Sequence, residues 1–242
     1  MLKKACYISI CCFIPLFVFC QGQRAGDLKE FYTRVVAGPA ISLYGINTLT
    51  SANVSQGAAF YAGLMEEMHV HQNIYFVGGL EYQYHSMAFN SYYINPGHQF
   101  IYNQKYNYTY NLRMQEARLN LLLRLTQGNE LRDEYSFYAE GGYVLRCLFV
   151  SKMKVTGNAN GQTMFNGTTH ADFEGPVLQN KFSSGIKLTL GIQHNFLRSH
   201  RAWFVQLTGL YGLSRFLIHE DFTPPSLYVK SSFIQLGLGY KF

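Results

Sequence analysis

Apolar and polar positions alternate along most of the chain after about residue 32. The alternation has a period of two, the signature of strands whose successive side chains point to opposite faces. Eight runs carry it. In 33–44, Val35, Ala37, Pro39, Ile41 and Leu43 share a face; in 58–70, Phe60, Ala62, Leu64, Met68 and Val70 do, with Glu66 as the lone misfit. In 74–86, Ile74, Phe76, Leu80, Tyr82 and Tyr84 oppose Glu81, Gln83 and His85; in 108–125, Leu119, Leu121, Leu123 and Leu125 oppose Glu116, Arg118, Asn120 and Arg124. The second half repeats the scheme. Phe137, Ala139, Tyr143, Leu145, Cys147 and Phe149 stand against Tyr138, Glu140 and Arg146 in 135–150, and Ile186, Leu188, Leu190 and Ile192 against Lys187, Thr189 and Gln193 in 182–196. In 202–216, Trp203, Val205, Leu207, Tyr211 and Leu213 oppose Gln206, Thr208 and Ser214; in 229–242, Ile234, Leu236, Leu238, Tyr240 and Phe242 oppose Gln235, Gly237, Gly239 and Lys241.

The connections alternate in length. Those after the odd runs are long (45–57, 87–107, 151–181 and 217–228), and those after the even runs are short (71–73, 126–134 and 197–201), so all long loops fall on one rim. This predicts an all-β fold, an eight-stranded antiparallel up-and-down transmembrane β-barrel with short periplasmic turns and longer outside loops. A water-soluble barrel would alternate too, but its outer face would be rich in Lys and Glu. Here one face of each run is a row of Leu, Ile, Val and aromatics. The other mixes Gly, Gln, Thr and Asn with one or two ions, which suits the narrow interior of eight strands. Tyr84, Tyr108 and Tyr110 toward the long loops, and Phe137, Phe196, Trp203, Tyr240 and Phe242 toward the short turns, read as two interfacial girdles.

Composition explains why so little polar surface is available. Only 14% of the 242 residues are charged, against 48% hydrophobic and 16% aromatic, where a soluble domain carries about 25% charged residues. No stretch after residue 20 is long and apolar enough for a spanning helix. Residues 1–20 read as a cleaved signal peptide, with Lys3 and Lys4 before an apolar core; a lipoprotein signal with Cys20 lipidated is the alternative, disfavoured by the bulky Phe19. Residues 21–31 then form a short periplasmic segment and 32–242 the barrel. Four of the five cysteines lie in the signal, so the cleaved chain keeps only Cys147 and can form no intramolecular disulfide. Without Lys3 and Lys4 the net charge falls by two, from +6 to +4, too mild a balance to suggest nucleic acid.

Several short motifs point to a family. Arg118-Leu-Asn-Leu-Leu-Leu-Arg124 resembles the L-x-I-P-L-L-L-K strand of the PorT-like outer-membrane β-barrel families, with Asn120 where those have Pro. Gly79-Leu-Glu-Tyr82 is similar to their third strand and Ala139-Glu-Gly-Gly-Tyr143 to their fifth. The ending, with Leu236, Leu238, Tyr240 and Phe242 alternating, resembles the terminal signal read by the outer-membrane insertion machinery. The resemblance implies a barrel of the bacterial outer membrane, in contact with its lipid and lipopolysaccharide. It covers a secretion-associated subgroup and many small barrels without a known role, so an envelope or secretion-complex protein is the partner it implies.

Candidate chemistry lies inside the barrel and in the loops. Glu67, Glu81, Glu116, Arg118, Arg124, Glu140, Arg146 and Lys187 fall on inward positions, with Glu67, Arg124 and Glu140 low and Glu81, Glu116, Arg118 and Arg146 nearer mid-height. Unpaired buried ions cost several kcal/mol, so an ionic plug is expected; a charged pore for small solutes is the alternative. Of the eight histidines, His69 and His71 have two-ligand spacing without a third ligand. His85-Ser86 and His194-Asn195 loosely resemble the placement in lipid A deacylases, but adjacent strand residues face opposite ways, and no base, nucleophile and acid converge. No catalytic residue, metal site or cofactor is predicted. Tyr92, Tyr93, Phe100 and Tyr102, among Asn, Gln and Gly, have the composition of an adaptable recognition loop; strands that continue beyond the membrane as a hairpin are the competing reading. The N-x-S/T matches at Asn53, Asn107 and Asn166 are read as chance.

Overall fold

A computed structural model describes residues 31–47, 53–55, 57–71, 73–94, 105–128, 132–159, 162–170, 182–196, 201–214, 216–218 and 227–242. The expected signal and all but Phe31 of the segment after it lie outside these residues. Phe31–Phe242 forms one compact unit. Its strands are β1 (Phe31–Asn47), β2 (Asn53–Ser55), β3 (Gly57–His71), β4 (Ile74–Ile94), β5 (Lys105–Gln127), β6 (Tyr135–Ala159), β7 (Gln162–His170), β8 (Phe182–Asn195), β9 (Ala202–Gly212), β10 (Phe216–Ile218) and β11 (Leu227–Lys241).

Eight of these are staves. They pair in the order β1, β3, β4, β5, β6, β8, β9, β11, and β1 pairs back onto β11, so the sheet closes. Every pairing is antiparallel. Closure satisfies the two sheet edges that an open sheet would leave bare. The three short strands add to the long-loop rim: β2 pairs with β4, β7 with β6 and β10 with β11. On the opposite rim Gly128, with φ of 98°, takes a conformation that L side chains avoid, in the β5–β6 turn.

The alternation holds stave by stave and its phase is as expected: apolar out, polar in. β9 alternates buried and exposed without a break. Leu188 and Leu190 on β8 are 64% and 66% exposed, whereas Lys187 and Thr189 between and beside them are buried. The interior is less uniformly polar than expected. Met65, Val77 and Leu122 form one apolar cluster inside, Val144, Leu210 and Phe233 another, and Val36, Ala40, Ala59, Tyr61, Tyr138 and Phe204 a third. In a run such as Leu121-Leu122-Leu123 both faces are apolar: the phase carries Leu122 inward between Asn120 and Arg124, and the inward face takes an apolar residue there.

On the long-loop rim the strands run on into a paired hairpin, the competing reading for the Tyr-rich stretch, where long connections were the other expectation. Residues 87–107 and 151–181 were expected as connections, but β4 continues to Ile94, β5 begins at Lys105, and β6 continues to Ala159 with β7 folded back on it. Tyr92 pairs with Asn107 and Tyr93 with Tyr106. These two candidate contacts therefore sit on paired strands, while Phe100 and Tyr102 lie outside the described residues. The physical reason is that Tyr, Thr and Phe favour strands whether or not the surface is apolar, so a strand emerging into water loses its hydrophobic row without losing its ladder.

Gly237 and Gly239 face the lumen on β11. A Cβ at 239 would collide with the Phe204 ring and one at 237 with the Tyr61 hydroxyl, so the two glycines seat large aromatics from β9 and β3. Gly239→Leu should destabilise the refolded barrel by about 1–3 kcal/mol, as overpacking does. Gly209→Ala, where an added Cβ meets nothing within 4 Å, should leave the urea midpoint unchanged.

Candidate functional site

The inward positions of β1, β3, β4, β5, β6, β8 and β11 collect ten charged side chains, all nearly inaccessible to solvent. They sort into two groups separated along the barrel axis. The lower group, toward the short turns, joins Arg34, Glu67, Arg124, Glu140 and Lys241. Glu67 receives Arg34 Nε at 2.6 Å and Lys241 Nζ at 3.0 Å and is paired with Arg124 as well, while Arg34 Nη1 reaches Glu140 at 2.7 Å. Arg124 also donates to Gln193 and to Thr126 Oγ1, and Gln193 Nε2 donates to Asn195 Oδ1 at 2.7 Å.

The upper group joins Glu81, Glu116, Arg118, Arg146 and Lys187. Arg118 sits directly across from Glu81 on β4 and Arg146 on β6. Its Nη1 donates to Glu81 Oε1 at 3.0 Å and its Nε to Glu116 Oε1 at 2.5 Å. Arg146 Nη2 donates to Glu116 Oε2 at 2.8 Å and to Ser231 Oγ at 2.7 Å; Lys187 Nζ donates to Glu81 Oε2 at 2.5 Å. Gln235 Nε2 donates to Gln83 Oε1 at 2.8 Å and to Glu81 Oε1 at 3.3 Å. The network thus ties β4, β5, β6, β8 and β11 together through the interior.

Each group sets three cations against two carboxylates. Aromatic faces take up part of the imbalance, since a ring's negative quadrupole attracts a cation above it. Arg124 lies 3.9 Å over Tyr138; Arg118 and Arg146 lie 4.4 and 5.3 Å over Phe233; Lys241 lies 4.6 Å over Tyr32. These inward rings are a second use of aromatics, distinct from the girdle. At the short-turn rim the girdle is a contact chain, with Trp203 4.8 Å and Phe242 5.3 Å from Tyr240. The other terminal-signal residues, Leu236 and Leu238, are exposed on the outer face.

All eight ions expected in the lumen are buried; Glu67, Arg124 and Glu140 fall in the lower group and Glu81, Glu116, Arg118 and Arg146 in the upper, where Lys187, given no level from the sequence, joins them. Three further inward groups were not assigned to the network: Arg34, Lys241 and His85. The signal for each was available in the phase. Arg34 alternates with Val35 and Ala37 on the outer face, and Lys241 with Tyr240 and Phe242. His85 lies above the upper group, with Nδ1 at 2.9 Å from the Tyr44 hydroxyl and Nε2 at 3.7 Å from Glu116 Oε2. Ser86, its neighbour in sequence, turns the other way and donates toward Ala58 O at 3.4 Å. The register shifts between His69 and His71, which breaks their alternation, and His69 packs 5.1 Å from the Tyr75 ring. His194 stacks on Tyr135 at 5.0 Å.

No family model matches the chain, and no curated protein matches it. Among solved structures the chain is similar to the outer membrane protein OprG from Pseudomonas aeruginosa, at 10% identity over 88% of this chain and 97% of that one, with a TM-score of 0.46. It is similar to Neisserial surface protein A at 11% identity over 87% and 95%, TM-score 0.42. It is also similar to Ail, the attachment invasion locus protein of Yersinia pestis, at 14% identity over 88% and 99%, TM-score 0.32. At such identities and TM-scores the resemblance bears on neither ligand nor activity.

Proposed function

We propose that this chain is a bacterial outer-membrane barrel with a structural, binding or secretion-associated role and a closed lumen, and that it is not an enzyme. The observation that carries the reading is the pairing of an apolar outer wall with an ion-filled interior. The wall has the height of a bilayer: the 11 residues of β9, at about 3.3 Å each and a tilt of about 40°, rise about 28 Å, close to the roughly 25 Å apolar band of such barrels. In water that wall would be an exposed apolar patch far beyond what soluble proteins tolerate. The short PorT-like motifs fit this class as a whole, which includes a secretion-associated subgroup and many small barrels without a known role.

The partners that fit are the outer-membrane lipid and lipopolysaccharide around the wall, the insertion machinery at the C-terminal strand, and an envelope or secretion-complex protein at the β4–β7 extension. Arg113 and Lys154 are exposed on the outer side of that extension, where anionic headgroups would meet them. The plug reading is favoured over a solute pore because every ion of both groups has a charged partner inside. A deacylase-type centre finds no support in the opposed directions of His85 and Ser86.

In planar bilayers the pure refolded protein should give no steady single-channel current; reproducible open levels would overturn the plug. Leu207→Arg puts a cation on the outer wall of β9 and should cost about 2–4 kcal/mol near the bilayer midplane. Its folded fraction in lipid vesicles should fall sharply, and insertion at the unmodified level would count against the membrane reading. Lipopolysaccharide incubated with the protein should release no fatty acid; a released acyl chain would make the barrel an enzyme.

A further inference from the structure

The barrel closes where β1 meets β11, and that seam contains an unfavourable pair. Arg34 and Lys241 stand directly opposite each other across it, both inward and both buried. Like charges on facing positions destabilise strand pairing, more so out of water. Neither seam strand can relieve this itself, because neither β1 nor β11 contains an acidic residue.

The relief comes from outside the seam: Glu140 on β6 takes Arg34 Nη1 at 2.7 Å, and a third strand serves both cations at once. Glu67 on β3 presents Oε1 to Arg34 Nε at 2.6 Å and Oε2 to Lys241 Nζ at 3.0 Å, one oxygen for each side of the seam. A second, independent observation makes this stretch the weak part of the closure. Pairing along the seam runs from Arg34 to Ala37, skips Gly38 and Pro39, and resumes at Ala40; proline has no N–H to give to a ladder. The four pairs at the short-turn end are thus separated from the rest, and the opposed cations sit at their extremity.

We propose that Glu67 is the latch of barrel closure: the short-turn end of β1 and the end of β11 hold each other only when the Glu67 carboxylate is seated between Arg34 and Lys241. On this view β3 must already lie against β1 before the last strand closes, and loss of the carboxylate opens the seam locally rather than loosening the barrel evenly. The inference rests on the closed barrel and stands apart from the membrane reading and from any partner.

Hydrogen exchange of the refolded protein, read by mass spectrometry on peptides from each strand, tests it. Glu67→Gln should raise exchange in 34–37 and 238–241 about tenfold or more while 186–190 and 205–208, which hold no member of the lower group, stay protected, since local openings leave the remaining structure intact. Glu81→Gln, which removes an equally buried carboxylate facing Arg118 and Lys187 away from the seam, should leave 34–37 and 238–241 protected. Adding Lys241→Gln to Glu67→Gln removes the opposed cation and should restore seam protection, the non-additive outcome expected of coupled groups. A uniform rise over all strands, or no recovery in the double variant, overturns the latch. If Glu67→Gln does not fold, the double variant decides: recovery of folding supports the latch, and failure of both overturns it.

Discussion

Closure of the sheet is the constraint on which the rest of this molecule depends. A wall that presents Leu, Ile, Val and aromatic side chains outward cannot leave strand edges with bare N–H and C=O groups beside it, because nothing apolar can satisfy them. Pairing β1 with β11 removes both edges at once. It also forces every second side chain of eight staves into a narrow space, and the composition of that space follows from how a few large groups can be packed without water.

The solution adopted is layered. Charged residues gather at two levels, each with more cations than carboxylates, and the surplus is met by ring faces and amide oxygens instead of further acids. Between and beside these levels Met65, Val77 and Leu122, and Val144, Leu210 and Phe233, fill volume without adding polar demand. Removing one cation leaves Glu67, Glu81 or Glu116 with another partner. Removing Glu67 withdraws a charged partner from Arg34, Arg124 and Lys241 at once, and removing Glu81 or Glu116 from two cations each, so the acids are the more sensitive half of the network.

The two rims differ for a related reason. At the short-turn rim Trp203, Tyr240 and Phe242 make an aromatic chain around the closing strand. On the other rim β4, β5 and β6 outgrow their neighbours and gather β2 and β7 as extra strands. Such an extension keeps its ladder without a continuous apolar row, which is why a Tyr-rich stretch there reads equally as loop or strand until the pairing of Tyr92 with Asn107 is seen.

By itself the sequence determined what is local. Period-two alternation, with its phase, told which residues of each run face outward, and the eight inward ions followed from it, as did the levels of Glu67 and Arg118. It contained Arg34 and Lys241 on inward positions too, but not their meeting. Which side chains confront one another across the lumen depends on strand register and on the stagger with which the sheet closes, and both are properties of the whole ring. Only the tertiary structure therefore decided that two cations distant in sequence share one carboxylate from a third strand, that Phe233 lies beneath two guanidinium groups, and that the seam is interrupted at Gly38 and Pro39.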